Sequence, residues 1–96
     1  MMVLVTYDVN TETPEGRRRL RLVAKTCVDY GQRVQNSVFE CLVDQVELAE
    51  MRGKLEAIID PSKDSLRYYF LGNNWRRRVY HVGAKESYDP EGVLMI

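Results

Sequence analysis

The sequence predicts a single α+β domain: an antiparallel sheet of four strands carrying two helices on one face. Three observations predict it. The chain has 96 residues, enough for one domain. Hydrophobic residues at 45% and charged ones at 29% are ordinary globular values, so disorder is not expected. The apolar pattern also alternates between strand and helix periods in the order strand, helix, strand, strand, helix, strand.

Met2 to Val9 is rich in Val, Leu and Tyr and reads as a buried strand. Asn10 to Thr13 is a loop, and Thr13-Pro14-Glu15 combines an N-cap, a proline at the first helical position and an acid in the first turn. The helix that follows places Leu20, Val23, Ala24, Cys27 and Val28 on one face and Arg18, Arg21, Lys25 and Asp29 on the other. Gly31 ends it. Arg33 to Val43 is expected to be two short strands or a bent hairpin, with its corner at Gln35-Asn36. Asp44-Gln45-Val46-Glu47 fits a capping box and starts a helix to about Ile59 that buries Leu48, Met51, Leu55 and Ile58 or Ile59; Pro61 stops it. Ser65 to Leu71 is an aromatic strand, Gly72-Asn73-Asn74 a turn, and Arg78 to Val82 a further short strand.

This order is the split βαβ pattern of a ferredoxin-like fold, βαββαβ with an additional C-terminal strand. Its core spans residues 1–83 and its tail residues 84–96, all in one domain. The sheet face opposite the helices is expected to be bare and apolar. A second copy would cover it, giving a homodimer with facing sheets and a surplus strand available to the partner's edge.

Fourteen basic and fourteen acidic residues cancel, so net charge names no partner. Their distribution says more. Ten of the basic residues are Arg, the better multidentate phosphate donor, and seven of these form two clusters: Arg17, Arg18, Arg19, Arg21 and Arg76, Arg77, Arg78. From Arg17 to Arg33 six basic residues face one acid; from Glu40 to Asp60 six acids face Arg52 and Lys54. A basic side and an acidic side are expected. Cys27 and Cys41 have no metal-like or thioredoxin-like spacing and read as core thiols in a reducing cytoplasm. No stretch has membrane-spanning length, and Met1 to Val9 is too short and polar for a signal peptide.

Asp8 is the most informative carboxylate. It lies near the end of an apolar strand, where it must reach solvent, a partner or a cation. One reading is a metal shared across a two-fold axis; the other is a cap on the turn through Asn10 and Thr11. The Arg17–Arg21 cluster sits in the first turns of a helix, against the dipole, so either phosphate or Glu12 and Glu15 must offset it. Arg76 to Arg78, beside Trp75, suit nucleic-acid backbone contacts or a hydrated hairpin end. Phe39 could stack on a base, meet a second subunit or fill the core. His81 is the single histidine and reads as an exposed strand residue. A Ser-His-Asp triad, a histidine zinc site and a glycine-rich phosphate loop are all unsupported.

Val5-Thr6-Tyr7-Asp8-Val9, Arg19-Leu20-Arg21 and Tyr30-Gly31-Gln32-Arg33-Val34-Gln35-Asn36-Ser37-Val38-Phe39-Glu40-Cys41 together closely resemble the CRISPR-associated protein 2 family, most of all its subtype I-C members. The likeness runs from Met1 to about Gly83. It implies a ferredoxin-like homodimer with one magnesium or manganese ion per dimer between the two Asp8 side chains. It implies endonuclease activity on double-stranded DNA or single-stranded RNA, and a bridging role with the CRISPR integrase during spacer acquisition. By position, Asp8, Arg19, Arg21, Arg33 and Phe39 fall where the family places residues needed for nuclease activity.

The function classes are thus a metal-dependent phosphodiesterase and a scaffold that grips duplex DNA through symmetric Arg patches. A small-molecule-binding ferredoxin-like dimer would need a pocket with convergent polar groups, which the strand and helix patterns do not show.

Overall fold

The structure is a computed structural model and describes residues 1–72. The second Arg cluster at 76–78, His81, the additional C-terminal strand, the turn beyond Gly72 and the tail lie outside the described residues.

Six elements follow in the expected order: β1 (Met2–Asp8), α1 (Pro14–Tyr30), β2 (Gln32–Gln35), β3 (Val38–Leu42), α2 (Gln45–Ile58) and β4 (Ser65–Gly72). The strands form one antiparallel sheet in the order β2-β3-β1-β4, the ferredoxin-like arrangement. Local chemistry sets the helix starts. The Thr13 hydroxyl accepts the Gly16 N–H at 3.1 Å with Pro14 at the first helical position. Asp44 and Glu47 close the expected capping box through bonds of 2.8 and 3.1 Å. The hairpin corner falls at Asn36-Ser37, one residue later than expected, because Ser37 takes the left-handed backbone conformation (φ 64°) that the tight turn requires.

Alternation along β1 divides the molecule into two layers. Val3, Val5, Tyr7 and Val9 face the helices and meet Val23 and Cys27 of α1, Met51 and Leu55 of α2, and Phe39 and Cys41 of β3. Val28 departs from the expected helix face: it is 59% exposed, and Tyr30 packs against the core instead. Burial pushes the Cys27 thiol up to about 12 and the Cys41 thiol up to about 11, so both are inert core groups.

The opposite sheet face is not bare. Met2, Leu4, Val34, Val38 and Leu71 are buried there, with Tyr69 packed against them. Strand alternation sends these apolar side chains to that side, away from the helices.

Candidate metal and nucleic-acid site

Asp8 is the last residue of β1 and shares its side of the strand with Met2, Leu4 and Thr6, facing away from the helices. It is exposed, and Ser65 at the start of β4 stands opposite it in register. Its carboxylate makes no hydrogen bond or ion pair among the described residues. The turn that follows is capped by other groups: the Asn10 side-chain carbonyl accepts the Glu12 N–H at 2.9 Å, and Asp64 accepts the Asn10 N–H at 3.0 Å. Turn capping, one of the two readings open from sequence, therefore does not explain Asp8.

The helix cluster divides by neighbourhood. Arg17 donates to the Thr11 carbonyl at 3.2 Å but stays exposed, and Arg18 and Arg21 are exposed as well. Arg19 turns inward. Its Nε lies 2.7 Å from a carboxylate oxygen of Asp64, whose side chain is fully buried. Neither Glu12 nor Glu15 is the hydrogen-bonded partner; Asp64, 45 residues on, is.

Arg33 rests its guanidinium 5.2 Å from the centre of the Phe39 ring. Phe39 is completely buried, which excludes base stacking and leaves it as core. It stacks on Tyr7 with ring centres 6.2 Å apart. Burial raises the Tyr7 hydroxyl above its ordinary pKa and the buried Cys27 adds to this, while Arg33 and hydrogen bonding to Ser37 and Arg33 oppose it. Above these rings is an open depression of about 440 Å³, walled by Arg21, Arg33, Asn36 and Ser37. Arg21 of α1 and Arg33 of β2, far apart in sequence, meet at one concave anion-attracting surface.

The five residues assigned from the sequence to one chemistry thus occupy three places. Arg21, Arg33 and Phe39 gather on the helix side of the sheet, Asp8 faces the other side, and Arg19 is bound to Asp64. Tyr7 and Asp8 are consecutive, so the two surfaces back onto the same strand end. Asp64 and Tyr7 went unassigned from sequence alone. Alternation puts Tyr7 on the side of Val3 and Val5, but no signal marks that side as the one under the helices, and no spacing connects Asp64 to Arg19.

A family model described as CRISPR associated protein Cas2 matches residues 1–79. The chain belongs to the Cas2 family. A CRISPR-associated endoribonuclease Cas2 of Chlorobaculum tepidum is 65% identical over the full length of both chains. A CRISPR-associated endonuclease Cas2 of Halalkalibacterium halodurans is 56% identical over 99% of each chain. Among solved structures, Streptococcus pyogenes Cas2 at pH 6.5 superposes with a TM-score of 0.75 and 66% identity, covering 86% of this chain and all of that one.

The described residues offer a divalent metal few ligands. No three His, Cys, Asp or Glu side chains come together among the described residues. A hard cation such as magnesium nevertheless accepts one or two carboxylates and keeps several waters. Asp8, an exposed carboxylate with no partner among the described residues, fits that demand. The buried, protonated thiols do not.

Proposed function

We propose that this Cas2 chain works as a homodimeric, metal-dependent phosphodiesterase on duplex DNA or single-stranded RNA, within CRISPR spacer acquisition alongside the integrase. One observation carries the proposal: Asp8 is an exposed carboxylate at the end of an apolar strand, and no contact among the described residues accounts for it. Its placement on the face away from the helices suits a site completed by a second copy, each contributing one Asp8. Bound there, magnesium or manganese supplies Lewis-acid activation of a water at neutral pH.

This chain's own residues do the rest. Asp8 presents a carboxylate oxygen as ligand and orients the site with respect to the strand axis. Arg21 and Arg33 hold a backbone phosphate on the helix side, where Phe39 supports the Arg33 guanidinium from beneath. Arg17 and Arg18 add phosphate contacts that attract nucleic acid without reading its sequence. The relatives named as endoribonuclease and endonuclease agree with a phosphodiester substrate, and the first name specifies RNA.

Asp8→Asn tests this. Magnesium-dependent cleavage of a duplex and of a single-stranded RNA is expected to fall at least about 100-fold while duplex affinity is kept. Unchanged cleavage by the mutant, purified alongside wild type, would remove Asp8 from the mechanism.

A second reading has its own observation. Among the described residues no candidate general base stands beside Asp8, whereas exposed Arg17, Arg18 and Arg21 share one helix, as a duplex-binding scaffold would need. In vitro spacer integration with the cognate integrase separates the two. Full integration by Asp8→Asn would make bridging the main task; loss of integration with intact DNA binding would make the carboxylate essential.

A further inference from the structure

Among the described residues Asp64 is the one buried charged residue, 8% exposed overall with its side chain fully enclosed. Its carboxylate collects four donors. They are Arg19 Nε at 2.7 Å, Arg19 Nη2 at 3.4 Å, the Asn10 N–H at 3.0 Å and the Asp60 N–H at 2.9 Å. The geometry around this carboxylate concerns Asp8. Asn10 follows Asp8 by two residues, and Ser65, the residue after Asp64, is the register partner of Asp8 on β4. One carboxylate therefore fastens the strand end on both sides of Asp8, from the loop that leaves β1 and from the strand beside it. Gly16 closes the brace from a third direction: a Cβ there would fall on the Asn10 carbonyl oxygen, so the first turn of α1 lies directly against this loop.

We infer that Arg19 and Asp64 are positioning residues that hold Asp8, and that Arg19 acts through Asp64 rather than by touching nucleic acid. The inference deepens the reading of Asp8 as the metal ligand and rests on it. Two physical facts support it. A guanidinium paired with a carboxylate at 2.7 Å has most of its field cancelled, so it offers a phosphate far less than Arg18 or Arg21 does. Moving Arg19 to a phosphate would also leave a buried carboxylate without its counter-charge, which is strongly unfavourable. The arginine carried over by family resemblance as needed for activity is thus explained without contact to substrate. Loss of the pair lets the strand end drift, and metal ligands are sensitive to displacements of that kind.

The test compares wild type, Arg19→Gln, Arg19→Lys, Asp64→Asn and Arg21→Gln in the full-length protein. Manganese affinity is followed by electron paramagnetic resonance, duplex-DNA affinity across a salt series, and amide hydrogen exchange along residues 8–12. Arg19→Gln and Asp64→Asn are expected to weaken manganese binding about tenfold. Both are expected to speed exchange of the Asn10 amide about tenfold, and to leave duplex affinity and its salt slope within about twofold of wild type. Arg19→Lys, which keeps the charge and a donor, should recover most of the manganese affinity. Arg21→Gln should do the reverse, weakening duplex binding and sparing manganese.

The inference is overturned if Arg19→Gln lowers the salt slope as Arg21→Gln does while the Asn10 amide exchanges as in wild type. It is also overturned if Asp64→Asn leaves manganese affinity intact. Should Asp64→Asn fail to fold, the two Arg19 variants carry the same comparison. Wild-type protein that binds no manganese would defeat the metal reading; the exchange and duplex results would still decide whether Arg19 is a brace or a contact.

Discussion

Asp64 shows how one side chain can govern its surroundings. Burial works to raise its pKa, but hydrogen bonds from Arg19 and from the Asp60 and Asn10 amides prevail and hold it below the ordinary carboxylate value. A carboxylate with a depressed folded pKa contributes stability above its unfolded pKa of about 3.9, and that contribution is lost as pH falls through the folded value. Thermal unfolding midpoints are therefore expected to fall steeply below about pH 4 in wild type, and less steeply in Asp64→Asn. Equal slopes would mean that other carboxylates dominate the acid limb. At neutral pH, Asp64→Ala is expected to cost about 3 kcal/mol in denaturant unfolding, because it strands Arg19 in a largely enclosed site and leaves two amides without their acceptor. The sequence displayed Arg19 as one of four arginines on a basic helix, which made phosphate its natural partner. Its actual partner lies 45 residues away in a short loop after Pro61, a contact only the fold creates. Phe39 was ambiguous for a similar reason, since strand alternation leaves open which face of the sheet the helices cover.

At the scale of elements, capping and alternation made nearly everything legible. Thr13-Pro14, the Asp44–Glu47 box and the period-two apolar runs located both helices and all four described strands to within a residue or two. The misses have local causes. Val28 is at the rim of the α1 apolar stripe, and the hairpin corner moved to Asn36-Ser37 because the turn needed a residue with positive φ. Gly16 could not be recognised from sequence, since a glycine in a first turn looks like a mild defect. Close packing on the Asn10 carbonyl makes it a requirement. Gly16→Ala is accordingly expected to destabilise the protein by about 1–3 kcal/mol, although alanine favours helix elsewhere; chemical denaturation measures it. Arg33 belongs to this scale too, because β2 and α1 together build the depression it shares with Arg21. Arg33→Ala is expected to weaken duplex binding uniformly across sequences and to lower its salt slope by about 1. An unchanged slope would place the DNA elsewhere.

The whole molecule joins two surfaces at one strand end. Basic residues of α1 and β2 lie on the helix side, and Asp8 lies at the strand end on the opposite side, exposed beyond the buried Met2 and Leu4. The sequence expressed this through charge distribution: six basic residues from Arg17 to Arg33, then an acidic α2 region. Alternation sends Tyr7 and Asp8 to opposite sides of β1, but with apolar residues on both sides the sequence left open which side the helices cover. The described residues hold no cluster of metal ligands, and the proposed site, assembled from two copies, would leave only half its ligands in any one sequence. The most direct measurement is manganese binding to the purified protein, counted per chain in wild type and Asp8→Asn. One ion for every two chains, abolished by the substitution, is the expected result. One ion per chain, or binding that survives Asp8→Asn, would contradict a metal held jointly by the two Asp8 side chains.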